Sequence, residues 1–458
     1  MQIGLIGLGV MGRNLALNMR DAGFELIATD AWESARAWRA DNVRVVESAA
    51  ELVGALEAPR LILMMIKAGE PVDAQLRELQ PLLSAGDTVI DGGNSLYKDT
   101  NRRDSTYGEE GLGFLGLGVS GGAEGARNGP AMMAGGPEAG WKHAEPVLSR
   151  LAARANGRPC VAWFGAGGAG HFVKMVHNGI EYAVMQAIAE TFALLRGPGG
   201  LAHADIGRLL EKLSEGPLGG YLLEISAEIL QTVDPDTGAP IVDVIDDKAG
   251  QKGTGAWCAA AGLEYGVPVP AIAAAVGARQ VSGATVLRRE AVRTFTGDRE
   301  AGANGDLAKM AEAALGGSII CALSQGLHLI AKASDQNGWR SNLADAAHVW
   351  RAGSIMRMKL LEEAIEAFSA SSPVANLVAA PPVANMLSSY LLDWRNAVAE
   401  ASQAGVPVPV MMATLAWFDG IRTERLPTAL VQAQRDRFGR HGFARTDKDG
   451  QHHGPWAD

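Results

Sequence analysis

The sequence predicts an α/β domain built on a mostly parallel sheet, followed by a larger all-α domain with an internal duplication and a C-terminal tail. Three observations predict it. Over the first 165 residues short apolar runs alternate with helical stretches, the pattern of a sheet with helices on its faces. Beyond residue 170 the strand signals fade and long alanine- and leucine-rich amphipathic stretches take over. The pentapeptide Gly-Val-Pro-Val-Pro occurs at 266–270 and again at 405–409, an offset of 139 residues, and the same offset maps Ile180, Ala183 and Gln186 onto Ile319, Ala322 and Gln325. Two matches at one offset favour a duplicated helical unit over coincidence. The expected divisions are 1–168, 169–425 and 426–458.

Composition bounds the function. With 458 residues, 47% hydrophobic and 20% charged, the chain can bury a large core in two or three domains. A net charge of −10 disfavours nonspecific binding to phosphate backbones, so nucleic acid is not an expected partner; a local basic pocket for a small anion stays open. Cys160, Cys258 and Cys321 are odd in number, far apart and without CxxC spacing, which argues against a disulfide framework or a zinc site and for a reducing compartment. No basic leader precedes an apolar run at the N-terminus, and no uninterrupted apolar run reaches about 18 residues. The expected location is the cytoplasm, away from membranes.

Strands are expected at 2–6, 26–29, 61–65, 88–90, 114–117 and 161–164. The turn after the first reads Gly7-Leu8-Gly9-Val10-Met11-Gly12 and opens a helical pattern. In a dinucleotide site of Rossmann type the first glycine permits the tight turn, the second lets a pyrophosphate approach the backbone, and the third lets helix and strand pack closely; the alternative is a purely structural glycine turn. The second strand ends at Thr29-Asp30-Ala31-Trp32. An acidic side chain there accepts hydrogen bonds from the adenosine ribose and repels a 2′-phosphate, and no arginine occupies the next two positions, although Arg36 and Arg39 follow on the next helix. NAD is therefore favoured over NADP, with Asp30 as a simple helix cap the other reading.

At 173–182 the chain reads VKMVHNGIEY, which on a helix places Lys174, His177, Asn178 and Glu181 at i, i+3, i+4 and i+7, the spacing of a buried stripe. The second copy of the duplicated unit has Ala313, Gly316, Gly317 and Ile320 at the matching positions, so packing alone does not require the polar groups. Burying a lysine and a glutamate is costly without partners or a use. A satisfied polar network between helices is the alternative to a reactive site. Asp91-Gly92-Gly93-Asn94 and Gly118-Val119-Ser120-Gly121-Gly122 each follow a strand, where ligands of such sheets bind. Gln251-Lys252-Gly253-Thr254-Gly255 combines an ammonium, a hydroxyl and free backbone amides, suited to a phosphate or else a solvated turn.

Together these segments resemble the 6-phosphogluconate dehydrogenases. The resemblance runs through GLGVMG, IKAG at 66–69, IDGGN at 90–94, GVSGGAEGAR at 118–127, GHFVKMVHNGIEY at 170–182, AGQKGTG at 249–255 and QAQRDRFGRH at 432–441, and covers nearly the whole chain. It implies oxidative decarboxylation of 6-phosphogluconate to ribulose 5-phosphate without a metal, with Lys174 as general base and then acid, and Glu181 as the acid that protonates the enediol. Gly7, Gly9, Val10, Met11, Gly12, Asp30, Ile66, Lys67, Ala68 and Asn94 would hold the coenzyme. Asn94, Ser120, Gly121, Gly122, His177 and Asn178 match positions for the sugar acid, and Tyr182, Lys252, Thr254 and Arg279 match its phosphate pocket. Arg435 and His441 match tail residues that reach a partner's site, implying a homodimer with shared active sites.

Two departures stand out. Many members of that family have asparagine, arginine and threonine where this chain has Asp30, Ala31 and Trp32, and the arginine grips the 2′-phosphate of NADP; Ala123 replaces a usual glutamate beside the serine-glycine loop. Two other functions remain open at this point. A β-hydroxyacid dehydrogenase for a small unphosphorylated acid would not need Lys252, Arg279 and Arg435 together. A non-enzymatic NAD(H) sensor would not need both Lys174 and Glu181.

Overall fold

The computed structural model describes residues 1–295 and 305–456. The chain divides into two compact units, Met1–Thr414 and Leu415–Asp458. Leu415 lies inside the helix Pro409–Ile421, whose first-turn residues Val410 and Met411 are buried.

The first unit opens with an eight-stranded sheet: β1 (Gln2–Ile6), β2 (Glu25–Thr29), β3 (Val43–Val45), β4 (Leu61–Met64), β5 (Thr88–Asp91), β6 (Gly113–Ser120), β7 (Ala131–Gly135) and β8 (Val161–Trp163). Their order is β8-β7-β6-β5-β4-β1-β2-β3. All pairings are parallel except β6 with β7, so β7 and β8 run against the rest. β1 is flanked by β2 and β4, and connections leave it in both directions; the crevice beyond such a strand is where dinucleotides bind.

All six expected strands form. β3 and β7 were not expected: β3 is three residues at the sheet edge, and β7 reads Ala-Met-Met-Ala-Gly, with none of the β-branched residues that signal a strand. β6 extends well past the expected 114–117 because its glycines disguise it. They are demanded from outside the sheet: a Cβ on Gly118 would lie 2.2 Å from Lys174 Cβ, and one on Gly116 2.7 Å from His171 Nδ1. The missing side chains let the first long helix lie directly on the strand.

The helical part contains α1 (Val10–Asp21), packed on the sheet, and then α2 (Ala169–Arg196), α3 (Thr254–Glu264), α4 (Pro270–Gly283), α5 (Leu307–Asn337), α6 (Pro381–Gln403) and α7 (Pro409–Ile421). The duplication is visible atom by atom. Gly266 and Gly405 have φ of +67° and +65°. Val267 N donates to Gly262 O and Val406 N to Ala401 O, both at 2.8 Å, and Pro270 and Pro409 then open the next helix. The two long helices α2 and α5 cross at small residues, since a Cβ on Gly326 would lie 2.5 Å from Ile180 Cδ1. α5 carries an 18-residue stretch of mean hydropathy 1.5, long and apolar enough to cross a membrane, which reading uninterrupted runs did not register. That stretch is 94% buried in this fold, so its apolar character belongs to the helical core.

Each long helix caps the short helix of the other copy. Gln325 Oε1 on α5 accepts Ala271 N at 3.0 Å, and Glu190 on α2 accepts Val410 N and Met411 N, both at 2.9 Å. Burial pushes the Glu190 carboxyl up to about 7 against the pull of those donors and of Gln186. A raised carboxyl favours the protonated native state, so its contribution is fully present below the ordinary value of 4.5 and is lost as pH rises towards 7. Between pH 5 and 8 the wild type should therefore lose up to about 3 kcal/mol more than Glu190→Gln. Urea midpoints at the two pH values check this, and parallel declines would show that another group titrates.

The second unit holds α8 (Thr428–Gly439) and a short antiparallel pair, Phe443–Ala444 with Gln451–His452. Its centre is Asp436, whose carboxylate accepts Gly442 N at 2.9 Å, His453 Nδ1 at 2.6 Å, Gly454 N at 2.8 Å and Trp456 Nε1 at 2.7 Å. Burial works to raise this carboxyl, but the four donors outweigh it and hold it far below the usual range.

Candidate active site

α2 carries the polar face. Its apolar positions Phe172, Val173, Val176 and Ile180 are fully buried and seat the helix, while Gly118 and Gly170 let it approach β6 and β7. Lys174 is left only 6% exposed. Its Nζ donates to Asn178 Oδ1 at 2.8 Å and lies 3.4 Å from His177 Nδ1. Asn178 Nδ2 points to Thr254 Oγ1 at 3.4 Å, where α3 begins. His177 Nε2 is 3.1 Å from Ser120 Oγ, so the end of β6 meets the helix face.

Burial dominates the electrostatics. It brings Lys174 down to about 8 although the Glu181 carboxylate favours the ammonium, and it raises Glu181 although Lys174 and Arg279 favour its ionised form. His177 falls well below its ordinary value through burial and the neighbouring Lys174, so it is neutral. An amine and a carboxyl pushed toward each other's range, two turns apart on one helix, suit proton transfer in both directions.

One turn along, the Arg279 guanidinium lies over the Tyr182 ring at 3.5 Å and donates to Gly250 O at 3.1 Å. Thr254 follows Gly253, whose φ is +91°, and opens α3; Lys252 is exposed beside it. A helix N-terminus, a hydroxyl and a fixed guanidinium form an anion-binding group. Of the four residues expected at the phosphate, Tyr182 and Arg279 are in contact, Thr254 meets Asn178, and Lys252 is exposed beside Thr254.

At the crevice the glycine loop is shaped as the motif requires. Gly7 has φ +105°, and a Cβ on Gly12 would lie 1.9 Å from Gly7 O, whereas a Cβ on Gly9 would meet open space. Asp30 accepts Leu8 N at 2.6 Å and Trp32 N at 2.8 Å, so it ties the loop to the end of β2 and makes no cap bond to the following helix. Arg36 is engaged at the end of β2, where it donates to Asp30 O at 2.8 Å and to Glu47 at 3.0 Å, while Arg39 bonds Trp38 O at 3.0 Å. Val10 and Trp32 flank the crevice exposed, Trp32 at 75%. Ile66, Lys67 and Ala68 follow β4, and Asn94 is exposed on the loop after β5. These features fit a dinucleotide: an open backbone at Gly9, a strictly glycine turn, and apolar side chains awaiting cover.

The loops after β4 and β5 are braced by Asp91, from the segment named above, and by Ser95, Asp73 and Arg103, which the sequence reading did not single out. Asp91 accepts Gly93 N at 3.0 Å and Ser95 Oγ at 2.6 Å, and Arg103 reaches Asp91 at 3.4 Å, Gly69 O at 3.1 Å and Asp73 at 2.9 Å. Arg103 holds the Asp73 carboxyl down to about 2. Also missed was the turn Trp350–Arg357, which packs Ser354 Oγ 2.7 Å from His177 Nε2 and the Trp350 ring edge-on to His177 at 5.6 Å. A Cβ on Gly121 would lie 2.4 Å from Gly353 O, so the turn closes on the serine-glycine loop. An Ala-Gly-Ser run between helices is too common a pattern to find by reading.

Comparison with known proteins accounts for this arrangement. The profile of the NAD binding domain of 6-phosphogluconate dehydrogenase matches residues 2–165, and that of the 6-phosphogluconate dehydrogenase C-terminal domain matches 170–456. The chain belongs to the 6-phosphogluconate dehydrogenase family. It is 44% identical to the decarboxylating 6-phosphogluconate dehydrogenase of Synechococcus elongatus, covering 99% of each chain. It is 41% identical to the NADP(+)-dependent decarboxylating enzyme of Bacillus subtilis, again over 99% of each. The Plasmodium falciparum 6-phosphogluconate dehydrogenase, solved in its apo form and with NADP+ or 6-phosphogluconate, is 34% identical with a TM-score of 0.95 over 100% of both chains.

As a decarboxylating 6-phosphogluconate dehydrogenase the chain is an oxidoreductase of the pentose phosphate pathway with an NAD(P)-binding domain, and neither the small-acid dehydrogenase nor the sensor reading is needed. Ala123, the departure beside the serine-glycine loop, is exposed on the helix Gly122–Asn128 and removes no polar group from the cluster. Arg435 and His441 lie in the second compact unit, where Arg435 donates to Gln432 Oε1 at 3.0 Å and His441 meets the Phe438 ring edge at 6.0 Å.

Proposed function

We propose that this enzyme converts 6-phospho-D-gluconate to D-ribulose 5-phosphate and CO2 with NAD as its preferred coenzyme and NADP as the weaker one. The observation that carries the reading is the buried amine of Lys174 held by Asn178, two turns from a carboxyl at Glu181 whose proton affinity burial raises. When bound, the nicotinamide ring supplies the acceptor for the hydride from C3. The neutral Lys174 amine takes the proton of the 3-hydroxyl as that hydride leaves. The resulting 3-keto acid loses its carboxylate as CO2 because the carbonyl accepts the electron pair of the breaking bond, and the Lys174 ammonium donates to that oxygen. Glu181 then protonates the carbon that has lost the carboxylate. Ser120, Gly121, Gly122, His177, Asn178 and Asn94 hold the sugar acid, and Tyr182, Lys252, Thr254 and Arg279 its phosphate.

NAD preference rests on Asp30, which puts a carboxylate where a 2′-phosphate would sit, and on an Arg36 already engaged with carbonyls and Glu47. The Bacillus subtilis relative is named for NADP(+), and on this reading the chain would differ from it at the end of β2. By the family resemblance we also infer a cytoplasmic homodimer in which Arg435 and His441 complete the partner's site. A steady-state assay with 6-phosphogluconate and each coenzyme in turn, following CO2 and reduced nicotinamide together, tests the reaction. Equal amounts of both products with NAD in preference support it; hydride transfer without CO2, or turnover of 3-hydroxyisobutyrate alone, would overturn it.

A further inference from the structure

Ser354 reaches the centre of the polar face from outside it. It is wholly buried in the turn after Trp350, and Gly353 O anchors that turn to β7 through Ala131 N at 2.8 Å. The direction of the hydrogen bonds around Ser354 follows from the donors available. Met356 N donates to Ser354 Oγ at 3.0 Å, and His177 Nδ1 lies 3.0 Å from the acceptor Asn178 Oδ1, so the ring proton belongs on Nδ1 and the serine hydroxyl donates to Nε2 at 2.7 Å. Asn178 Oδ1 is the same oxygen that takes Lys174 Nζ at 2.8 Å. The chain of donors is consistent from the Met356 amide to Asn178.

We propose that Ser354 is a positioning residue that fixes His177 in the Nδ1–H tautomer and thereby presents Lys174 with an N–H dipole instead of a lone pair. Lys174 Nζ lies 3.4 Å from Nδ1, close enough for an imidazole lone pair to hold the ammonium. With the proton on Nδ1 that acceptor is removed, and the positive end of the dipole favours the neutral amine that proton abstraction needs. The inference rests on the reading of Lys174 as general base. The other groups around the lysine are few. Glu181 and His177 share its helix, α3 brings Thr254 to Asn178, and β6 brings Ser120 to His177. Arg357, on the serine's own turn, is occupied by Ser354 O at 3.3 Å and by the Tyr221 ring at 3.8 Å.

Without the serine hydroxyl the ring is free to carry its proton on Nε2, donating to Ser120 Oγ, and to offer Nδ1 to the ammonium. The acid limb of the pH profile of kcat/KM for Ser354→Ala should move up by about one pH unit, a loss of about tenfold on that limb that is recovered above it. Ser354→Thr, which keeps the hydroxyl, should restore the wild-type limb. An Ala variant whose activity falls equally at every pH, or whose limb stays in place, overturns the proposal. Should Ser354→Ala fail to fold, imidazole ¹⁵N shifts of the wild-type enzyme decide, with His177→Gln used to assign the signal: a proton on Nδ1 supports the proposal and a proton on Nε2 overturns it. Lys174→Met separates the two ideas, since surviving turnover there would remove the base itself.

Discussion

Lys174→Met is expected to reduce turnover by about a thousandfold or more, within the range that a positioned acid or base contributes, while coenzyme binding stays close to wild type. The substitution is close in length and apolar, and the site it enters is buried, so the fold has little reason to change. Asn178 Oδ1 loses one donor and keeps another from His177 Nδ1 at 3.0 Å. The glycine loop and Asp30 are untouched. In the wild type kcat/KM should climb with pH and level off above about 8, because the lysine must be neutral to act and burial brings it to that value. Steady-state rates across pH, with NAD affinity measured separately, check both parts. Turnover that persists in the variant would take the lysine out of the chemistry.

The second large effect concerns the coenzyme. Replacing Asp30 by Ala and Ala31 by Arg together should shift the ratio of kcat/KM toward NADP by about a hundredfold. Hydrogen bonds to charged groups contribute about 1.5–3 kcal/mol each, and about 1.4 kcal/mol is a factor of ten. Removing the carboxylate ends repulsion of a 2′-phosphate, and a guanidinium one residue along supplies a bidentate partner. Some loss of overall rate should accompany the switch, because Asp30 also holds Leu8 N at 2.6 Å and so shapes the glycine loop. An unchanged coenzyme ratio would mean that the end of β2 does not set the preference.

Much of this site was legible as spacing. Lys174, His177, Asn178 and Glu181 share a face in any helix, and the second copy shows what that face becomes without chemistry. Gly316 and Gly317 stand where His177 and Asn178 stand in the first copy, and a Cβ on them would strike Tyr390 at 2.8 Å and Trp394 at 2.4 Å. The same helical surface therefore packs aromatic rings in one copy and holds polar groups in the other. β6 was half legible, because glycines needed for contact with α2 lower its strand signal. Ser354 and Arg103 were not legible, since each acts on residues far away in the chain and neither lies in a motif.

The order of residues by itself determined the alternation that makes a parallel sheet, the glycine turn that opens α1, the paired Gly-Val-Pro-Val-Pro caps and the polar stripe on α2. All of these are local, set by backbone geometry and by the two periodicities of strand and helix. The tertiary structure decided which groups face Lys174, how far burial moves its proton affinity, and that a turn at residues 350–357 supplies a hydroxyl to His177. Proton affinity depends on solvent exclusion and on neighbours in space, and separation along the chain determines neither.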